Sequence, residues 1–391
     1  MRHLHGVLRA ALVGVGLLGL TANTALATAF VQTDLVSDIP GLAAITDPHL
    51  KNSWGVSLSA TGPFWVSDQA TSLATLYGVT AGSVSKLSLE VAFPTMGSGP
   101  QGPTGQVNNS TSSFPVTVNG APAGPATFIF ANLNGTISAW NSNLGTIGTI
   151  PARVQVTTPG AVYTGLAIGS NASGPLLYAA NGAQNRIDVF NGSFTPVDLG
   201  PNAFVTHDPR LTGLVPFNVQ NIGGNIYVTY ALPGRAAQIS APEGMGAVAV
   251  FDTSGNLIQT LIAGSKLASP WGITRAPASF GGFGGDLLVG NFSFAVSEIN
   301  AFDPLTGAFV GTITDKDGNP IINSGLWAIT FGNGGNGGDP NTLFFAAGIN
   351  GEADGLFGSL DPVPEPSTLL LFGSGLAGLV ATARRRHRRN S

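Results

Sequence analysis

Short runs of apolar residues, most of them closed by one small or polar residue, recur along the middle of the chain. They are Phe64-Trp65-Val66-Ser67-Asp68, Phe128-Ile129-Phe130-Ala131-Asn132, Leu177-Tyr178-Ala179-Ala180-Asn181, Ile226-Tyr227-Val228-Thr229-Tyr230, Leu287-Leu288-Val289-Gly290-Asn291 and Phe344-Phe345-Ala346-Ala347-Gly348. Too short for helices and almost continuously apolar, they read as strands buried on both faces. Each is preceded by a second run: Ser53-Trp54-Gly55-Val56, Thr104-Gly105-Gln106-Val107, Thr164-Gly165-Leu166-Ala167, Pro216-Phe217-Asn218-Val219, Pro270-Trp271-Gly272-Ile273 and Gly325-Leu326-Trp327-Ala328-Ile329. Third strands follow, clearest at Arg186 to Phe190, Ala247 to Asp252 and Ile299 to Asp303; turns such as Thr253-Ser254-Gly255-Asn256 then lead to fourth strands at Leu257 to Leu261 and Ala308 to Ile313.

Six copies of a four-stranded unit, spaced roughly 50 to 60 residues apart, predict an all-β, six-bladed β-propeller with four antiparallel strands per blade. The last repeat has no evident fourth strand before Pro362. The run Phe30-Val31-Gln32-Thr33-Asp34-Leu35-Val36 precedes the first repeat and can fill that place, closing the ring and removing an open edge. Residues 28–361 are therefore expected to form one domain.

Composition agrees with this pattern. Only 9% of the 391 residues are charged, against 43% hydrophobic, 55 Gly and 26 Pro, which describes a turn-rich apolar chain. A net charge of −4 supplies no basic field for nucleic acid, and the lack of cysteine excludes disulfides, thiolate metal sites and a cysteine nucleophile.

The two ends read as addresses. Arg2 and Arg9, the apolar run Ala10 to Leu20 and the small-residue site Ala25-Leu26-Ala27 have the layout of a cleavable signal peptide over residues 1–27. At the other end Val363-Pro364-Glu365-Pro366-Ser367-Thr368 precedes an apolar stretch, Leu369 to Ala383, and a basic cluster from Arg384 to Arg389. This order over residues 362–391 resembles the PEP-CTERM sorting signal, with Pro364, Glu365 and Pro366 as its motif. The resemblance implies transient retention of a transmembrane helix in the inner membrane of a Gram-negative bacterium, processing by an exosortase-type enzyme, and release to the surface or exterior.

Asn181-Gly182-Ala183-Gln184-Asn185-Arg186-Ile187-Asp188-Val189-Phe190 looks like the core of an NHL-type repeat. Over its length the chain is similar to a family of exported bacterial six-bladed propellers of uncharacterised function, through Leu35 to Gly41, Gly62 to Asp68 and Asn350 to Gly358. That likeness implies a fold and brings no catalytic residue.

Searches for chemistry mostly fail. Only His49 and His207 lie between the two addresses, and neither His-Glu-x-x-His nor Gly-x-Ser-x-Gly occurs. Gly332-Asn333-Gly334-Gly335-Asn336-Gly337 matches Gly-x-Gly-x-x-Gly, but a strand follows where a dinucleotide site needs a helix, so it reads as a loop. Glu352 and Asp354 read as turn residues. The expectation is no catalytic residue, no metal ligand set and no cofactor, with an axial calcium as the ion a lactonase-like reading would bring. Because loops after the second strands emerge on one face, Asp68, Asn132, Asn181, Tyr230 and Asn291 are expected around one channel end, beside Arg235 and Glu243 from the long loop Ala231 to Met245. A second insertion, Pro94 to Pro125, reads as disordered. These readings favour a secreted or surface-associated propeller of the extracellular matrix that binds polysaccharide or protein; the alternative is a propeller hydrolase or lactonase with an axial metal ion.

Overall fold

The computed structural model describes residues 29–363, and these form a ring of six blades. The signal peptide and all but the first two residues of the sorting tail, including Pro364, Glu365 and Pro366, lie outside the described residues. No helix among the described residues is long and apolar enough to cross a membrane.

From the axis outward, blade 1 consists of Ser53–Leu58, Phe64–Asp68, Leu73–Thr80 and Ser83–Ala92. Blade 2 is Pro103–Asn108, Phe128–Asn132, Thr136–Trp140 and Arg153–Thr157. Blade 4 runs Val215–Ile222, Asn225–Ala231, Gly246–Phe251 and Leu257–Ala263, and blade 5 runs Pro270–Arg275, Leu287–Asn291, Ile299–Phe302 and Phe309–Thr312. Blade 3 departs from the expected four strands. It has Tyr163–Asn171, Gly174–Asn181 and Arg186–Asn191, and only a single bridge, Phe190 to Pro196, in the outer position. The proline-containing segment there cannot donate a full ladder.

Blade 6 is Leu326–Phe331, Leu343–Ala347 and Leu356–Pro362, completed by Phe30–Ser37 from the other end of the chain. The register runs from Phe30 opposite Pro362 to Ser37 opposite Leu356, so ring closure is made by the N-terminal strand. That strand is anchored on both sides. Phe30 is buried against Phe280 and Phe283 of blade 5, with ring centroids 4.9 and 5.9 Å away, while Leu35 and Val36 enter the core shared with blade 1.

The glycine-rich loop after Phe331 forms a second clasp between the last and first blades. Val79 N donates to Asn336 O at 2.7 Å, and Asn333 Nδ2 donates to the carbonyls of Ser59 and Gly62, each at 2.8 Å. A Cβ on Gly335 would lie 2.6 Å from the Thr61 carbonyl oxygen, which is why this loop must be small where it crosses.

The insertion Pro94 to Pro125, expected to be disordered, folds into a hairpin, Pro115–Val118 with Ala121–Pro125. Its composition conceals two anchors: Phe114 and Val116 are fully buried, and Phe114 packs edge-on to Phe194 at 5.3 Å beside the short edge of blade 3.

The innermost strands share one construction. Each pairing with the second strand of its blade contains a register shift, and such bulges re-aim side chains. Aligned on that feature, the strands place Trp54, Thr104, Thr164, Phe217, Trp271 and Trp327 in one tier, and Gly55, Gly105, Gly165, Asn218, Gly272 and Ala328 in the next. The small tier is where neighbouring strands touch. A Cβ on Gly55 would clash with the Thr104 carbonyl, and one on Gly272 with that of Trp327.

Candidate functional site

The aromatic tier fills the centre of the ring. Trp54 and Trp327 stack at 3.6 Å, Trp271 meets Trp327 edge-on at 5.8 Å, Phe217 lies 5.8 Å from Trp327, and Phe292 stacks on its other side at 4.1 Å. All five rings are buried. Trp271 Nε1 donates to Thr164 O at 2.8 Å and Trp327 Nε1 to Asn52 Oδ1 at 2.9 Å. Beyond this plug, the small tier borders a void of only about 30 Å³. The channel is thus a dead end.

On the side of the loops that follow the second strands, a pocket of about 470 Å³ opens against the plug, which contributes Trp54 to its lining. Its walls are Asn52, Gln69, Leu133, Val162, Thr164, Gly182, Ala183, Val215, Arg235, Gln238 and Glu352, contributed by blades 1, 2, 3, 4 and 6. The loop from blade 4 crosses this mouth. After Gly234, whose φ of +86° suits glycine, a short helix Arg235–Ile239 lays the Arg235 guanidinium over the rings of Phe292, Trp327 and Trp54 at 4.0, 4.7 and 5.4 Å. Glu352, from the hairpin of blade 6, grips it with both carboxylate oxygens: Nε donates to Oε2 at 2.9 Å and Nη2 to Oε1. Asn52 Nδ2 donates to the same Oε1 at 2.9 Å and to Gln69 Oε1 at 2.7 Å. Burial lowers the arginine's pKa, and the attraction of Glu352 opposes that effect.

Of the seven residues expected at the rim, Arg235 alone lines this pocket. Glu243 pairs with Lys266 at 2.9 Å on the exposed surface. The other five are buried inside their blades; Asp68, Asn132 and Asn181 bond within their own hairpins, and Asn291 bonds to the segment that enters its blade. Asn132 Nδ2 donates to Thr136 O and Ser138 Oγ, both at 3.2 Å; Asn181 Nδ2 donates to Asp188 Oδ2 at 2.8 Å; Asn291 joins Ala268 N and Lys266 O. Asp68 Oδ2 accepts from Thr75 Oγ1 at 2.7 Å while Oδ1 has no partner, and burial raises its pKa well above the ordinary value. Tyr230 is also buried, its hydroxyl without a partner and its pKa raised by desolvation.

Asn52, Trp54, Gln69, Gln238 and Glu352 form the site and were not singled out from the sequence as site residues. For the tryptophans a signal existed: Trp54, Trp271 and Trp327 stand at the same step of three inner strands. Glu352, expected to serve its turn, has a φ of +69° and reaches across the mouth instead. An axial calcium needs several oxygen ligands, whereas the tier facing the mouth is mainly aromatic. Among the described residues no three His, Asp or Glu side chains gather where they could hold a metal.

Residues 362–386 match the PEP-CTERM protein-sorting motif. Over 332 residues the chain is 31% identical to "Uncharacterized protein R648" of Acanthamoeba polyphaga mimivirus, covering 83% of this chain and 78% of that protein. It is 29% identical to "Uncharacterized protein L690" of the same virus, covering 83% and 84% of the two chains. Among solved structures it is similar to a streptogramin B lyase, with a TM-score of 0.48 and 12% identity over 85% of this chain and 97% of that one.

Proposed function

Starting from the fact that the chain belongs to the family of mimivirus protein R648, we propose that this member is a binding propeller of the bacterial exterior that seats a neutral, hydroxyl-rich ligand in the mouth of its channel. The sorting motif marks the chain for export to the cell surface and implies an exosortase-type processing partner. The ligand it would meet there is a polysaccharide of the extracellular matrix.

One observation carries the reading. The mouth holds a preformed pocket of about 470 Å³ lined by Trp54, by apolar side chains and by the amides of Asn52, Gln69 and Gln238, with a single ion pair, Arg235 with Glu352, that neutralises itself. Such a surface offers hydrogen bonds and apolar contact without net charge, which suits a sugar better than an ionic ligand. The arrangement offers no general base paired with a nucleophile, so binding rather than turnover is its natural use.

Ala183→Trp tests this. Ala183 is exposed at the pocket wall, so the larger ring should fill the mouth and leave the core untouched. Wild-type protein is expected to be retained on a neutral matrix polysaccharide and the variant to be lost from it, with equal melting temperatures. Equal retention of both proteins would refute binding at the mouth.

A further inference from the structure

We infer that the channel mouth recognises an acylated amino sugar, with the acetamido carbonyl oxygen seated between Trp54 Nε1 and Arg235 Nη1. This rests on the binding reading above and narrows its ligand.

The inference starts from two hydrogen-bond donors. Trp271 and Trp327 in the aromatic tier have acceptors for their indole N–H groups, but Trp54 Nε1 is buried without one among the described residues. Arg235 spends Nε and Nη2 on Glu352, and its Nη1 is likewise buried and unpartnered. Both residues line the same pocket, with the guanidinium carbon 5.4 Å from the Trp54 ring. Buried donors are nearly always satisfied in folded proteins, so an acceptor arriving here gains more than it would from water.

The acceptor's charge follows from Glu352. A ligand carboxylate would stand beside a carboxylate already bound to the same guanidinium, whereas a neutral carbonyl meets no such repulsion. The remaining groups fit an acetamido substituent. Gln238 donates through Nε2 to Leu232 O at 3.1 Å, which leaves Oε1 to accept the ligand's N–H. Leu133, Val162 and Val215 supply an apolar wall for the methyl group. A plain hexose can offer a hydroxyl oxygen to the two donors but has neither a methyl group for the wall nor an amide N–H for Gln238.

The test is calorimetric titration of the full chain, held in a non-glycosidic detergent, with three probes: an N-acetylglucosamine trimer, the matching glucosamine trimer and cellotriose. The acetylated trimer should bind at least tenfold more tightly than either other probe. Trp54→Phe keeps a ring and removes the N–H, so it should bring that ratio close to one; Gln238→Leu should reduce it by a smaller factor. Should Trp54→Phe fail to melt like the parent, Arg235→Lys, which keeps the charge opposite Glu352 and removes Nη1, decides the matter in its place. Equal binding of the three probes, tighter binding of the glucosamine trimer, or a ratio unchanged in these variants overturns the acyl assignment. If Ala183→Trp still abolishes binding in those cases, the mouth as a sugar site survives. Binding of no probe to the wild type overturns the acyl assignment, and with it the broader reading if neutral matrix polysaccharides also fail to bind.

Discussion

Replacing Asp68 by Asn should stabilise the protein at neutral pH and have little effect in acid. Blades 2, 3 and 5 carry Asn132, Asn181 and Asn291 at the position that Asp68 holds in blade 1. Asn132 shows what the amide does there: its Nδ2 donates to the first carbonyl of the third strand, Thr136 O, and to the Ser138 hydroxyl. Leu73 and Thr75 occupy the equivalent positions in blade 1. Asp68 instead buries a carboxyl with one hydrogen bond, from Thr75, and has no N–H to give; its other oxygen is unpartnered, as Asn132 Oδ1 is among the described residues.

The direction of the pH effect follows from the raised pKa. A carboxyl whose folded-state pKa lies above its unfolded value of 3.8 contributes its full stability below pH 3.8 and loses it as pH rises toward the folded value. Each pH unit in that window costs about 1.36 kcal/mol. The Thr75 hydrogen bond and the burial of an amide in the variant both reduce the difference. The expected gain for Asp68→Asn is therefore about 1–2 kcal/mol at pH 7, or a few degrees in Tm for a domain of this size, and close to zero near pH 4. Thermal melts of both proteins at pH 4, 5.5 and 7 measure it. A variant less stable than the parent at pH 7, or a gain independent of pH, would refute the reasoning.

Three further outcomes are expected. Glu352→Ala should cost about 2–3 kcal/mol in urea unfolding because it strands a half-buried guanidinium, and a double-mutant cycle with Arg235→Ala should give a coupling above about 1 kcal/mol; additive effects would show that the pair is ornamental. Phe30→Ala should cost about 3–4 kcal/mol through loss of a fully buried ring at the closure strand, and an unchanged melt would place closure elsewhere. Cells making the Pro364→Ala/Glu365→Ala/Pro366→Ala variant should retain it in the membrane fraction, and normal release would disprove the role of the motif.

Much of the fold was legible because its physics is local and repeated. Strands such as Phe128–Asn132 are buried on both faces and so are apolar up to their closing residue, and the missing fourth strand of the last repeat called for Phe30 to Val36, which the structure extends to Ser37. What resisted reading was non-local or masked by composition. Arg235 and Glu352 are 117 residues apart, and nothing near either one encodes the other. Asn132 and Asn181 carry the chemistry of a ligand site, yet they are buried and the hairpins that make them recognisable also occupy their amide N–H groups. In Pro94 to Pro125 two buried side chains, Phe114 and Val116, outweigh a composition that argued for disorder.

The two ends of the chain meet where binding, closure and sorting have to coexist. Glu352 sits in the hairpin leading into Leu356–Pro362, the strand that pairs with Phe30–Ser37, so the carboxylate that holds Arg235 in the mouth is fixed by ring closure. Opening the closure would therefore loosen the pocket 117 residues away at Arg235, not only the seam. Processing of the tail need not do so. Val363 N donates to Ala29 O at 2.9 Å, bonding the backbone up to the residue before Pro364. A cut at or beyond the motif spares every pair of the closing ladder, which ends at Pro362 opposite Phe30. The domain can thus be released from its tail with its ring shut and its mouth intact.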